Sequence, residues 1–79
     1  MLLIDALENK NYVVLAVNYQ NPTILSRLTD LGVKKGAKIT IIRQSANNAC
    51  ALLLIDSRLI AVSNEICKTI TIQKVETNG

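Results

Sequence analysis

Apolar and polar positions follow a helical period between Ile24 and Leu31. Ile24, Leu28 and Leu31 lie three or four residues apart, and polar side chains occupy the opposite face, so the pattern predicts an amphipathic helix of about two turns. Asn21 and Pro22 precede it, where an Asn side chain accepts a free backbone N–H and Pro lacks the donor that would be wasted. We therefore expect the helix to begin after Asn21 and to end at Leu31.

Two glycines predict the path of the chain after this helix. Gly32 follows the last apolar residue, where a left-handed residue ends a helix, and Val33 is then expected to pack back on Leu28 in a Schellman cap. Gly36 suits the positive-φ position of a type II turn over residues 34–37. Both glycines are therefore assigned structural roles in turns.

The rest of the chain consists of strand-like segments separated by polar breaks. Runs that are β-branched or alternate with a period of two predict strands over residues 12–17, 37–43, 50–55, 59–62 and 69–75. The breaks include a polar loop at 44–48, predicted to be mobile, and a tight hairpin turn at Asp56-Ser57. Ser63 is expected to open a single 3₁₀ turn that places Ile66 inward.

Five short strands with one helix between the first and the second predict a mainly β fold. A small antiparallel sheet hides its edges by bending and closing on itself. We expect an SH3-like barrel of about five antiparallel strands, with one short α-helix between strands 1 and 2. Residues 1–75 are predicted to form a single domain, and residues 76–79 a frayed polar tail.

Composition narrows the classes of partner. The chain of 79 residues is 49% hydrophobic but has no Phe or Trp, so aliphatic side chains must fill the core. Its net charge of +3 is spread along the chain, and Lys34-Lys35 is the longest basic run. Only Tyr12 and Tyr19 are available to stack on bases. We therefore expect no nucleic acid partner.

The sequence offers little for catalysis or metal binding. It has no His, and Cys50 and Cys67 lack CxxC spacing, so neither a zinc site nor a Cys/His nucleophile is indicated. The acidic residues are scattered at turns and termini. We expect no enzyme activity, no metal site and no cofactor. Each cysteine is expected to be a buried free thiol, although a disulfide between them stays open.

The N-terminus indicates the compartment. It carries Asp5 and no basic n-region, and no apolar run in the chain approaches the roughly 20 residues that span a bilayer. We expect a cytoplasmic protein without direct membrane insertion.

A binding surface is the remaining hypothesis. Arg27, Asp30, Lys34 and Lys35 are predicted to project together from the helix and its turn beside an apolar rim. The alternative is that these residues are solvated surface charges. On the third strand, Leu53 is a candidate apolar contact for a partner, unless the N-terminal segment covers it.

The order of these elements resembles a known family. Arg27-Leu28, Leu31-Gly32-Val33 and Gly36, followed by an alternating strand, resemble the signature of the FeoA family, as do Ile60-Ala61-Val62 and Ile70-Thr71-Ile72. Ser63 departs from the family, in which Arg is frequent at this position.

The resemblance implies an SH3-like domain that serves FeoB, the membrane ferrous-iron transporter with a cytoplasmic guanine-nucleotide-binding domain. The expected function is that of a non-enzymatic accessory protein of bacterial ferrous iron uptake that contacts the cytoplasmic part of FeoB. Two alternatives stay open: a small basic barrel that binds nucleic acid, and a self-associating structural module.

Overall fold

The computed structural model describes residues 1–44 and 50–75, and five antiparallel strands form one sheet in these residues. The strands are β1 (Asn11–Val17), β2 (Lys38–Gln44), β3 (Cys50–Ile55), β4 (Arg58–Ser63) and β5 (Ile70–Lys74), in the sheet order β4-β3-β2-β1-β5. Helix α1 (Pro22–Asp30) connects β1 to β2, and α2 (Asn64–Cys67) connects β4 to β5. A 3₁₀ turn (Leu3–Asp5) precedes β1.

This architecture confirms the predicted mainly β fold with a helix between strands 1 and 2. Gln44 ends β2, whereas the rest of the loop predicted at 44–48 lies outside the described residues. The tail predicted at 76–79 also lies outside them.

Helix α1 begins as the sequence predicts. The Asn21 side-chain oxygen accepts the N–H groups of Thr23 at 3.0 Å and Ile24 at 3.2 Å, and Pro22 is the first helical residue. These two bonds satisfy donors that have no partner inside the helix.

The end of α1 is a complete Schellman motif. The N–H of Gly32 donates to the carbonyl of Thr29 at 3.0 Å, and the N–H of Val33 donates to the carbonyl of Leu28 at 2.8 Å. Gly32 has φ of +97°, and both Leu28 and Val33 are buried. This pattern confirms the predicted cap and the apolar contact that accompanies it.

The following turn joins α1 to the sheet. Ala37 donates its N–H to the carbonyl of Lys34 at 3.0 Å, and Gly36 has φ of +89°, as the predicted turn requires. The N–H of Gly36 donates to the carbonyl of Val14, and the N–H of Val14 donates to the carbonyl of Ala37, both at 2.8 Å. The turn is therefore fixed to β1 by backbone hydrogen bonds.

Aliphatic side chains from every strand fill the core. The largest fully buried side chains are Leu3, Tyr12, Val14, Val33, Ile39, Ile41, Leu53, Ile55, Cys67, Ile70 and Ile72. The hydroxyl group of the buried Tyr12 has a hydrogen-bond partner, because its oxygen accepts the N–H of Leu7 at 3.0 Å. The inward position of Ile70 and Ile72 confirms the alternation predicted for the last strand.

Two bulges interrupt the ladders between the described strands. The register between β1 and β5 shifts between Val14 and Ala16, and the register between β2 and β3 shifts between Ile41 and Arg43. A bulge bends its strand and increases the local twist, which lets five short strands curve around one core.

One local prediction was wrong. The segment after Ser63 is a turn of α-helix and not of 3₁₀-helix, and the Ser63 hydroxyl accepts the N–H of Ile66 at 3.3 Å. Asn64 and Cys67, three residues apart, share the buried face of this turn, so Cys67 occupies the inward position predicted for Ile66. Ile66 is half-buried at the border of the core.

The two edges of the sheet differ. Along β5, Leu2 bridges to Thr71, and Ile72 donates its N–H to the carbonyl of Met1 at 2.8 Å, so the N-terminal residues cover this edge. Strand β4 forms the opposite edge, where no strand of residues 1–44 and 50–75 pairs with its outer side.

The two turn glycines provide a matched stability test. Gly36→Ala should lower the free energy of unfolding by about 1 to 2 kcal/mol, which is the cost of placing an L-residue in a left-handed conformation. A Cβ at this position meets open space, so no steric cost is added. Gly32→Ala should cost more, because its Cβ would lie 3.1 Å from Cγ2 of the fully buried Ile55. Urea unfolding measures both values. An equal or smaller loss for Gly32→Ala would contradict this account.

Candidate functional site

The structure separates the predicted charged surface into three parts. Arg27, Asp30, Lys34 and Lys35 are all exposed, as expected. Asp30 and Lys34 line a shallow depression with Asp56 and Arg58 of the β3–β4 turn region. Arg27 lines a different and more apolar groove, and Lys35 lies in the turn before Gly36. The four residues therefore do not form one site.

The depression at the end of α1 carries balanced charge. Asp30 and Asp56 contribute two carboxylates, and Lys34 and Arg58 contribute two cationic groups. Exposed charges of both signs compensate each other in water, so this arrangement does not favour an ion of either sign.

The groove that includes Arg27 lies between α1 and the edge strand. We call it the α1–β4 groove; its lining residues are Ile24, Arg27, Leu28, Leu31, Ala61, Val62, Ser63 and Ile66. Its volume is about 160 Å³. Small-molecule sites usually have volumes of about 300 to 1,000 Å³, so this groove fits a side chain better than a cofactor.

The helical period of α1 forms one wall of the groove. Leu28 is buried in the core, whereas Ile24 and Leu31 are half-buried and flank it along the same stripe. The opposite wall comes from the last residues of β4, and Ile66 of α2 closes one end. The sequence pattern predicted this apolar rim, but it did not indicate that β4 lies across from it.

The proposed contact at Leu53 is wrong, because Leu53 is fully buried. In β3, Ala51, Leu53 and Ile55 face the core, and Leu52 and Leu54 lie half-buried on the other face. Both sets are apolar, so the sequence did not reveal which one is inside.

Leu59 of β4 is an exposed apolar residue that sequence reasoning missed. It pairs with Leu54 across the β3–β4 hairpin, and 62% of its surface is exposed. The two-residue turn at Asp56-Ser57 fixes this pairing. Counting residue pairs outward from this turn in the sequence would have placed Leu59 opposite Leu54.

The two cysteines have different environments. Both are free thiols, but Cys67 is buried and Cys50 is exposed, so the predicted burial is confirmed for Cys67 and wrong for Cys50. Burial, with a smaller contribution from the nearby Cys50, raises the pKa of the Cys67 thiol to about 11. Its sulfur lies 3.8 Å from the carbonyl oxygen of Val62. Cys67 is therefore a neutral packing residue near pH 7.

The described residues contain neither a metal-binding cluster nor a membrane-spanning helix. Within residues 1–44 and 50–75, no three His, Cys, Asp or Glu side chains are grouped so that they would hold a metal ion. No helix in this part of the chain has the length and apolar character required to cross a membrane.

Comparison with known proteins decides the family. Residues 1–74 match the FeoA domain. The chain belongs to the FeoA family. This family is associated with ferrous iron transport, and the match covers the helix, the two glycine turns and all five strands. No curated protein sequence matches this FeoA-family chain.

Solved structures share the fold. An FeoA protein from Chlorobium tepidum is 22% identical, with a TM-score of 0.90, and the match covers 100% of this chain and 74% of that one. An FeoA-like protein from Clostridium acetobutylicum is 13% identical, with a TM-score of 0.81 and coverage of 100% and 91%.

A manganese-dependent transcriptional repressor is 12% identical, with a TM-score of 0.85 over 95% of this chain and 41% of that chain. At these identities the similarity to solved structures shows the fold alone, and it confirms the SH3-like class expected for the family.

Thiol alkylation tests the assignment of the cysteines. At pH 8 in the folded protein, iodoacetamide should modify Cys50 and react with Cys67 at least about a hundredfold more slowly, because a rise of two pKa units lowers the thiolate fraction about a hundredfold. Mass spectrometry after timed quenching measures both rates. The Cys50→Ser variant is the control: modification of this folded variant at an ordinary thiol rate would contradict the burial of Cys67.

Proposed function

We propose that this FeoA-family chain is a non-enzymatic, cytoplasmic accessory protein of ferrous iron uptake that binds the cytoplasmic part of an FeoB-type transporter. The observation that carries the proposal is the α1–β4 groove, an exposed apolar site with Arg27 on its lining. Family membership supports the link to iron transport. A structural neighbour from Clostridium thermocellum is named iron(II) transport protein A.

A binding role fits the chemistry of the chain. The sequence has no His to act as a base for the exposed thiol of Cys50, and Cys67 is buried. General acid–base or nucleophilic catalysis requires such groups to be accessible to a substrate. The groove instead offers apolar surface beside a fixed positive charge, which suits recognition of a protein segment.

The structure makes the nucleic acid alternative weaker. Tyr12 is 1% exposed, so it has no free face on which a base can stack, and Tyr19 is the other tyrosine in the sequence. The basic side chains are not arranged as a stripe in sequence, as the short Lys34-Lys35 run shows.

Calorimetric titration into the cytoplasmic domain of the cognate transporter, with and without guanine nucleotide, tests the proposal. The double variant Arg27→Glu with Lys35→Glu should weaken binding about fivefold to tenfold, because it reverses the charge of Arg27 on the groove lining and of Lys35 in the turn that follows α1. The matched control, Lys10→Glu with Lys74→Glu, makes the same change in net charge with two exposed residues of other elements. The control should bind within about twofold of the wild type.

Two results would contradict this proposal. Equal weakening by both double variants would indicate a general charge effect without a role for α1. The absence of any complex with the wild type, checked by a parallel sizing experiment, would remove the transporter's cytoplasmic domain as the partner.

A further inference from the structure

The backbone of β4 has groups that point away from the sheet. Asp56 and Ser57 have φ of +48° and +68°, the signature of a two-residue type I′ turn, which makes Ile55 and Arg58 a hydrogen-bonded pair. Such pairs alternate along an antiparallel ladder. The N–H and C=O groups of Leu59 and Ala61 therefore point to the outer side of β4, away from β3.

This edge lacks the features that usually protect a free strand. Residues 59–62 contain no charge and no Pro, and β4 pairs with β3 over six residue pairs without a register shift. Exposed edges are normally blocked by Lys, Pro, a bulge or a covering segment. The β5 edge has such a cover in Met1 and Leu2, whereas no strand of residues 1–44 and 50–75 covers β4.

The α1–β4 groove adjoins this open edge. Ala61 and Ser63 belong to both the edge strand and the groove, since they lie on β4 and line the groove together with Leu28 of α1. Side chains of an added strand would alternate between two faces, so alternate side chains would lie beside the β4 lining of the groove at Ala61, Val62 and Ser63. The groove volume of about 160 Å³ suits one aliphatic side chain.

We propose that the outer edge of β4 binds an extended segment of the partner protein as a sixth strand, with one apolar side chain of this segment in the α1–β4 groove. In such strand addition, main-chain hydrogen bonds supply affinity, and pockets for alternate side chains supply specificity. This inference rests on the proposed function and identifies how the transporter's cytoplasmic part is recognised.

Charge specifies the segment further. Among the described residues that line the groove, Arg27 is charged and exposed. An extended apolar segment flanked by a carboxylate matches this arrangement. A polyproline ligand does not match it, because such ligands dock in aromatic-lined grooves, and this chain has no Phe or Trp and a buried Tyr12.

Substitution at Ala61 tests the strand addition in the full chain. Ala61→Pro removes one outward N–H and leaves the inward hydrogen bonds to β3 in place. It should weaken binding to the transporter's cytoplasmic domain at least about tenfold, a loss typical of a disrupted interface hydrogen bond and its neighbours. A control away from β4, Leu7→Lys, changes a side chain that is 63% exposed and does not line the groove, so it should bind within about twofold of the wild type.

A second variant keeps the test valid if Ala61→Pro does not fold, as judged by circular dichroism. Leu59→Lys changes a side chain that is 62% exposed, so it should fold normally, and it places a charge on the edge in the way natural edges are blocked. It should also weaken binding at least about fivefold.

The outcomes separate this inference from the proposed function. If the wild type binds and the folded β4 variants bind equally well, strand addition is overturned and the proposed function stands. If the wild type does not bind, both are overturned. If the free wild type is a dimer that Leu59→Lys or Ala61→Pro converts to a monomer, a second copy occupies the edge, and the inferred partner segment is wrong.

Discussion

The hydrogen bond from the Val33 N–H to the Leu28 carbonyl is the contact on which the placement of α1 depends. It closes the helix at a residue that is already buried, and it requires the positive φ of Gly32. The chain then reverses direction and reaches the Gly36 turn, whose two bonds to Val14 join it to β1. A helix of nine residues is marginal alone, so this local closure and one apolar stripe determine its position.

The position of α1 also shapes the β4 edge of the sheet. The helix supplies the wall that converts the edge of β4 into a groove, and Gly32 approaches Ile55 beside the β3–β4 turn. A chain of this length buries only about 60% of the surface that its unfolded form exposes, so some apolar surface must remain accessible. Part of this surface lies along β4 and α1, where Leu59 is exposed and Ile24 and Leu31 are half-buried.

Features set by local chemistry were predictable from the sequence. The Asn21 cap, the Gly32 and Gly36 turns and the Asp56-Ser57 hairpin each depend on residues within one turn of each other, and the structure contains all of them. Strand number followed from the clustering of β-branched residues between polar breaks. The same pattern predicted the apolar stripe of α1 and the exposure of its charged residues.

Features set by tertiary packing were not predictable. β3 is apolar on both faces, so alternation did not reveal that Leu53 faces the core. The short segment after Ser63 fits either a 3₁₀ or an α turn, and this choice decides whether Ile66 or Cys67 is inward. The α1–β4 groove joins residues more than 30 positions apart, so its existence depends on the sheet order.

Amide hydrogen exchange of this chain, with and without the transporter's cytoplasmic domain, tests the central claim most directly. Bound partner backbone should slow exchange at Leu59 and Ala61, whose N–H groups point outward, and change it little at Ile60 and Val62, which already bond to β3. Slowing confined to the Lys34-Lys35 turn, or unchanged exchange along β4 in a saturated complex, would contradict the claim that the partner adds a strand to this edge.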